Sequence, residues 1–353
     1  CGAPNARTGL VGVFAPGGSY IPGTDITLKP TEIRGVLSNG MLLSEREMGI
    51  SEEHDGIVDL PEDTKIGLPA IEVMGLDDPI IEIAITPNRG DCLGVRGVAR
   101  DLAAAGIGSL KPLANGPVPG LFDSHINVTL NFADDAADAC PYFVGRLIKG
   151  VTNGESPTWL KEKLLSIGLR PISALVDITN LLTFDLNRPL HVFDADKVSG
   201  DLRVRMATNG ETLLALNEKE YTLDDQMVVI ADDNGPEALG GVMGGEVSGV
   251  TADTVNVFVE AAYFDAVRTA MTGRKLNLQS DARYRFERGI DPAFLENGME
   301  IGTRLILDLC GGEPSNIVVA GAQPDTAKSI TFRPERVRGL AGVEIVRGEM
   351  ERI

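Results

Sequence analysis

Four stretches of this sequence carry side chains able to do chemistry. In VNVFVEAAYF, a strand period of two sets Val255, Val257 and Val259 on one face and Asn256, Phe258 and Glu260 on the other, so that Glu260 ends a hydrophobic strand on the side of an aromatic ring. A carboxylate there is either exposed or salt-bridged at a turn, the commoner case, or it sits in an apolar pocket and accepts a hydrogen bond from a ligand hydroxyl or ammonium. In VDITNLLTFDLNRPLHVFD, Thr179 and Asn180 precede His191. No nucleophile elbow is present, and Asp194 is the only carboxylate close after His191, so spacing alone favours a structural histidine over a general base.

The third stretch, GPEALGGVMGGEVSGV, is neither GxGxxG before a helix nor GxxxxGK[ST]. Its glycines read as a tight turn packed against backbone or ligand, one that can still floor a pocket, and Glu246 reads as solvated. The fourth, GRKLNLQSDARYRFERGIDP, is the densest basic run: Arg274, Lys275, Arg283, Arg285 and Arg288, interleaved with Tyr284 and Phe286. It suits phosphate contact with base stacking. It equally suits a solvated face balanced by Asp281, Glu287 and Asp291.

The chain that must position these groups has 353 residues, enough for two or three domains. With 43% hydrophobic and 24% charged residues it reads as globular and soluble. A formal charge of −19 opposes free binding to a polyanion, so any RNA contact must be local or supplied by a partner. Cys1, Cys92, Cys140 and Cys310 form no CxxC, and only His54, His125 and His191 could join them, which argues against structural zinc, a disulfide framework or any metal site. No apolar run is long enough for a bilayer, and the start has no signal-peptide pattern, so a cytoplasmic location is expected. The missing initiator methionine and the end at EMERI within an amphipathic pattern read as a piece of something larger.

Residues 1–68 alternate short apolar runs with Gly, Pro and Asn, which predicts a small β-barrel or sheet. A buried strand is expected over 80–85, then a helix capped by Asp91 and ended by Gly106. The Pro- and Gly-rich LKPLANGPVPGL, residues 110–121, reads as a linker. Beyond it, strands are expected at INVTLNF, 202–207, 227–231 and 255–262. Helices are expected after Ser156 as N-cap with Pro157 in the first position, and after Asp291 with Pro292, the latter ending at Gly311. A polar segment, GAQPDTAKS, then leads to a strand and the start of another domain.

ITPNRGDCLGVRGVARDLAA, VDITNLLTFDLNRPLHVFD, ALGGVMGGEVSGV and SDARYRFERGIDP, in that order, resemble successive hallmarks of the β subunit of bacterial phenylalanyl-tRNA synthetase. CGAPNARTGLVGVFAPGGSYIPG and IRGVLSNGMLLSEREMGI resemble the later strands of that subunit's tRNA-binding OB domain. The resemblance covers almost the whole chain. It implies an α+β multidomain fold: a partial OB-like β-barrel over 1–68, a small α+β domain over 69–113, a linker over 114–122, a larger mixed α/β editing domain over 123–323, and the start of a further domain over 324–353.

It further implies an (αβ)2 heterotetramer in which the α subunit uses ATP and Mg2+ to charge tRNA(Phe), while the β subunit binds tRNA and removes wrongly attached tyrosine. ATP and Mg2+ belong to the whole enzyme and none is assigned to these residues. Position by position, Thr179 and Asn180 match the family's VD-hydrophobic-TN segment. His191 matches its QPxHxFD segment, with Arg188 where glutamine is common. Gly241 matches a pocket-floor glycine, Glu260 the acidic group that recognises the tyrosine hydroxyl, and Ser280 and Ala282 the small residues of its TDA or SDA segment. The basic strip is then a tRNA contact, and His191 a wall and hydrogen-bond donor at the pocket mouth. The rival implication is a tRNA-binding and assembly module with a vestigial pocket; a stand-alone small-molecule-binding protein is a third reading.

Overall fold

A computed structural model describes residues 2–51, 53–77 and 79–353 of the chain. They fall into two compact units, one up to Ile81 and the other Glu82–Ile353. The fold is mixed α/β with several sheets.

In the first unit the ladders are short. Phe14–Pro16 pairs with Gly40–Leu42, Tyr20–Ile21 with Ile26–Thr27, and Thr31–Ile33 with Val36–Ser38, all antiparallel. Val13, Ala15, Ile21 and Leu43 form a small core. A single helical turn, Glu45–Met48, is fixed by a capping box between Ser44 and Glu47 and stopped by Gly49 at φ 73°. The expected OB-like barrel is not closed among the described residues. Closure needs every strand edge to find a partner, and the Thr31–Ser38 ribbon is paired only with itself, leaving Ile33, Val36 and Leu37 exposed.

The second unit is built around two sheets. The elements that position the site are α1 (Val95–Ala104), β1 (Val128–Asn131), β2 (Tyr142–Lys149), α2 (Thr158–Ser166), α3 (Ala174–Leu186), β3 (His191–Asp194), β4 (Leu202–Met206), β5 (Val228–Ala231), β6 (Pro236–Leu239), β7 (Met243–Gly244), β8 (Asn256–Tyr263), α4 (Ala266–Lys275), α5 (Asp281–Phe286), α6 (Leu295–Cys310), β9 (Glu313–Pro314) and β10 (Val318–Gly321); a separate hairpin pairs Thr212–Leu214 with Glu220–Thr222, and two short helices, Arg336–Ala341 and Arg347–Arg352, follow. One sheet is antiparallel in the order β9-β2-β8-β3, with β10 also on β2. The other runs β7-β6-β5-β4-β1, antiparallel except for the parallel β4–β1 pair.

The two-residue period of β8 explains the layering. Val257, Val259 and Ala261 enter a core with Leu160, Leu164, Leu175, Ile178, Leu182, Met299 and Ile306 of the helices. Phe258 and Ala262 face the other way, into a second core with Phe143, Phe193, Val204, Ile230, Phe264 and Phe286. A strand buried on both faces reads as a continuous apolar run, and Glu260 interrupts that run on the inter-sheet side.

Several local expectations are corrected. Residues 80–85 form no strand; Ile80, Ile81 and Ile83 are exposed and meet no receiving edge among the described residues. Asp91 lies in a 3-10 segment, Pro87–Cys92, tied to Arg89 and Arg100, and Gly94 caps α1 instead. Ser156 donates to buried Asp177 at 2.5 Å, and Pro157 takes the N-cap of α2. No strand follows GAQPDTAKS, where Ile330 and Phe332 are exposed. The Pro-rich segment before β1 is held down: Arg304 donates to Ala114 O and Gly116 O, Val118 N–H donates to Glu300, and Arg146 bridges Glu300 (2.9 Å) and Val118 O. Asp291, expected to cap α6, instead caps a 3-10 turn, Pro292–Phe294, that leads into it, and Phe294 is the N-cap of α6; Gly311 ends the helix at φ 70°, as expected.

Candidate functional site

The β3–β8 register sets His191 directly opposite Glu260. Across the other edge of β8, Glu260 faces Gly145, and the absent side chain leaves space that the Phe258 ring occupies. Glu260 thus lies inside the sheet, 7% exposed, rather than at a strand end. A small cavity of about 80 Å3 opens here between the sheets, lined by His191, Gly241, Gly244, Glu260, Ala282 and Phe286 among others.

Each wall has a local cause. Gly241 has φ 69°, and a Cβ there would come within 3.0 Å of Phe264 and 3.2 Å of Phe286. Gly244 packs against the imidazole; a Cβ would meet His191 Cε1 at 2.3 Å. The His191 ring is edge-on to Phe193, centroids 4.4 Å apart. Phe264 and Phe286 make a second edge-to-face pair at 5.4 Å. Ser280 caps α5 by accepting from Arg283 N–H and donates to Val242 O at 2.5 Å, which fixes the turn that carries Gly241.

The electrostatics follow from burial. Desolvation pushes the Glu260 carboxyl up to about 7, against the opposing field of Arg188. No hydrogen bond reaches that carboxylate among the described residues. Desolvation pushes the His191 imidazolium down to about 4, so the ring is neutral at neutral pH, and its buried Nε2 has no hydrogen-bond partner among the described residues. The cavity thus presents an acceptor and an imidazole nitrogen, both unsatisfied, inside apolar walls.

Of the seven residues expected to form the pocket, four line this cavity: His191, Gly241, Glu260 and Ala282. Thr179, Asn180 and Ser280 do not. Thr179 and Asn180 ride half-buried on α3, whose buried face is taken by Leu175, Ile178 and Leu182, and the Thr179 hydroxyl donates to Val176 O. Ser280 acts one step removed, through Val242. Sequence reasoning did not select Gly244 or Arg188, although both stood in the quoted motifs; a glycine beside a histidine acquires meaning only once a second strand brings them together.

The basic strip is largely engaged within the domain. Arg285 is buried, donates to Thr183 O and Asp281, and stacks on Phe184 at 4.3 Å. Arg283 donates to Leu278 O and pairs with Glu287. Arg288 stacks on Tyr284 at 3.5 Å and also pairs with Glu287, while Lys275 pairs with Asp224. The Arg274 side chain is exposed, with no hydrogen bond or ion pair among the described residues. The one group of possible metal ligands among them, Asp91, Cys92 and Asp101, is already neutralised by Arg89 and Arg100, and does not suit a divalent cation.

Residues 139–311, from the lead into β2 to the end of α6, match the B3/4 domain, the class to which this two-sheet cavity domain conforms. The whole chain is 60% identical over 353 residues to the phenylalanine–tRNA ligase beta subunit of Paramagnetospirillum magneticum, covering 44% of that protein. It is 59% identical over 349 residues to the beta subunit of the same name from Cereibacter sphaeroides, covering 99% of this chain and 43% of that one. Over its whole length the chain is similar to phenylalanine–tRNA ligase beta subunits, and it spans under half the length of these relatives. An N-terminal fragment of the phenylalanyl-tRNA synthetase beta subunit from Pyrococcus horikoshii is a remote likeness at 19% identity and a TM-score of 0.36, over 75% of this chain and 73% of that one.

Proposed function

We propose that this chain serves in the beta subunit of a phenylalanine–tRNA ligase, and that the cavity between its sheets removes tyrosine wrongly esterified to tRNA(Phe). The observation that carries the reading is the buried Glu260 carboxylate, without a hydrogen-bond partner among the described residues, at the cavity wall opposite His191. At about 80 Å3 the cavity is far below the several hundred Å3 of a nucleotide-sized site. Tyrosine differs from phenylalanine by one hydroxyl, which an apolar synthetic pocket rejects by only about a hundredfold, so a second sieve is useful. Glu260 turns that hydroxyl into the positive determinant. Phenylalanine would leave the carboxylate desolvated and unpaired, at a cost on the order of 1–3 kcal/mol.

Hydrolysis of the ester needs an oriented water and stabilisation of the developing oxyanion. No nucleophile–base pair faces the cavity. The neutral His191 ring offers a hydrogen bond from the mouth, and backbone groups or the RNA terminus position the water. Thr179 and Asn180 act from α3 behind the strand, and Ser280 through Val242. Of the basic strip, Arg274 is the group best placed to meet phosphate, and Arg283, Arg285 and Arg288 shape the strip.

In the complete enzyme the partners are the α subunit, in an (αβ)2 assembly, and tRNA(Phe), with ATP and Mg2+ used outside this chain. A cytoplasmic setting fits a chain in which, among the described residues, no helix is long and apolar enough to cross a membrane. The test is deacylation of Tyr-tRNA(Phe), with Phe-tRNA(Phe) as control, by the complete ligase. Glu260→Ala should raise KM for the tyrosyl ester and erode discrimination; unchanged hydrolysis would remove Glu260 from its role. Native enzyme inert toward Tyr-tRNA(Phe) would favour a tRNA-binding and assembly module with a vestigial cavity.

A further inference from the structure

Arg188 precedes Pro189 and Leu190, which line the cavity, and is itself 1% exposed. Burying a guanidinium is costly unless its donors are satisfied, and here they are not all satisfied. Nε donates to Pro189 O at 3.2 Å and Nη2 to Ala262 O at 2.9 Å, while the buried Nη1 has no hydrogen-bond partner among the described residues. The aliphatic stem is wedged against α6 at Gly298, where a Cβ would come within 2.6 Å of Arg188 Cγ. Its Cζ lies 5.6 Å from the centroid of Phe286, a wall of the cavity.

Ala262, which anchors Nη2, follows Glu260 on the same face of β8. A buried cation with a free donor is therefore anchored two residues along β8 from a buried carboxylate without a donor, too far apart for a direct ion pair. Three more groups bear on them. His191 faces Glu260 from β3 and is neutral; the Cys140 thiol, before β2, is held protonated by burial and by the carboxylate's own charge; and Asp291 acts on Arg188 from the lead into α6.

We infer that Arg188 is the counter-charge that keeps Glu260 ionised inside the cavity, and is thereby a positioning residue that sets selectivity for the hydroxylated substrate. This rests on the hydrolytic function proposed above. An ionised Glu260 accepts the phenol hydroxyl and penalises its absence. A protonated one forms a weaker bond and tolerates the phenylalanyl ester better. Burial alone drives the carboxyl upward, and the field of Arg188 opposes it. Without that cation the Glu260 carboxyl titrates at higher pH.

The test uses the complete ligase with Arg188→Gln, Arg188→Lys or Glu260→Gln, reading the ratio of kcat/KM for Tyr-tRNA(Phe) over Phe-tRNA(Phe) deacylation from pH 6 to 9. Unchanged phenylalanylation by each preparation shows that the assembly is intact. In the native enzyme the ratio should climb with pH through about 7. Arg188→Gln, which keeps a donor for the carbonyls but no charge, should move that climb to higher pH, losing about fivefold in selectivity at pH 7 for the first unit moved and about tenfold for each unit after it. Arg188→Lys, which keeps the charge without the fork, should keep the midpoint near the native one. A native midpoint in Arg188→Gln, or a midpoint in Arg188→Lys displaced as far as in Arg188→Gln, overturns the inference while a selectivity loss in Glu260→Gln leaves the hydrolytic function standing. Native selectivity in Glu260→Gln would sink that function itself.

Discussion

The cross-strand pair at the heart of the cavity should be nearly silent in the pH dependence of stability, and single substitutions should unmask it. Glu260 has a folded-state pKa raised from 4.5 to about 7, so between those values the folded chain holds a proton that the unfolded chain has lost, and stability falls as pH rises. His191 has a folded-state pKa lowered from 6.5 to about 4, so the unfolded chain holds the extra proton, and stability falls as pH drops. Each shift spans about 2.5 units, or roughly 3 kcal/mol at 1.36 kcal/mol per unit. Over the shared window the slopes are opposite and cancel.

His191→Met removes one slope with an adaptable apolar side chain, and Glu260→Gln removes the other with little change of shape. The assay is urea unfolding of the chain, followed through Trp159, its only tryptophan, which lies on α2. Native minus His191→Met stability should rise by about 3 kcal/mol from pH 4 to 6.5, and native minus Glu260→Gln should fall by about the same amount from pH 4.5 to 7. Taking differences cancels the titration of surface carboxylates. Two flat difference curves at constant m would show that burial does not perturb the pair, and would refute the electrostatic account of the site.

Gly244→Ala places a Cβ 2.3 Å from His191 Cε1, so the imidazole must leave its place opposite Glu260. A destabilisation of about 1–3 kcal/mol in the same unfolding assay, with loss of Tyr-tRNA(Phe) deacylation in the complete ligase, is expected. Native-like values for both would mean that the ring moves freely. Ala282→Leu fills the cavity from α5; it should block deacylation by raising KM while phenylalanylation stays intact, and unaltered deacylation would place the substrate elsewhere.

Much of the domain was readable before any coordinates. The alternation in VNVFVEAA forecast which residues of β8 share a face, because side-chain direction in a strand is a local property. The stop of α6 followed from Gly311, while Asp291 and Pro292 marked the 3-10 turn that leads into it. Local signals failed where a partner was missing or intervened. The apolar run at 80–85 found no edge, Ser156 turned to Asp177 instead of capping a helix, and Asp91 was drawn into arginine pairs. Four of the seven expected pocket residues came together in the cavity, and the basic strip that looked free for phosphate is mostly bound to its own domain.

The sequence by itself determined the residue types, the strand face that holds Glu260, the caps that frame α6 and the family motifs. Only the tertiary structure decided that His191 stands opposite Glu260, that Gly244 seats the imidazole, and that Arg188 is sealed beside them with a donor to spare. The reason is physical. Propensity and periodicity act over a few residues, whereas register, burial and the resulting shifts in ionisation depend on which distant strands pair and on how much water that pairing excludes.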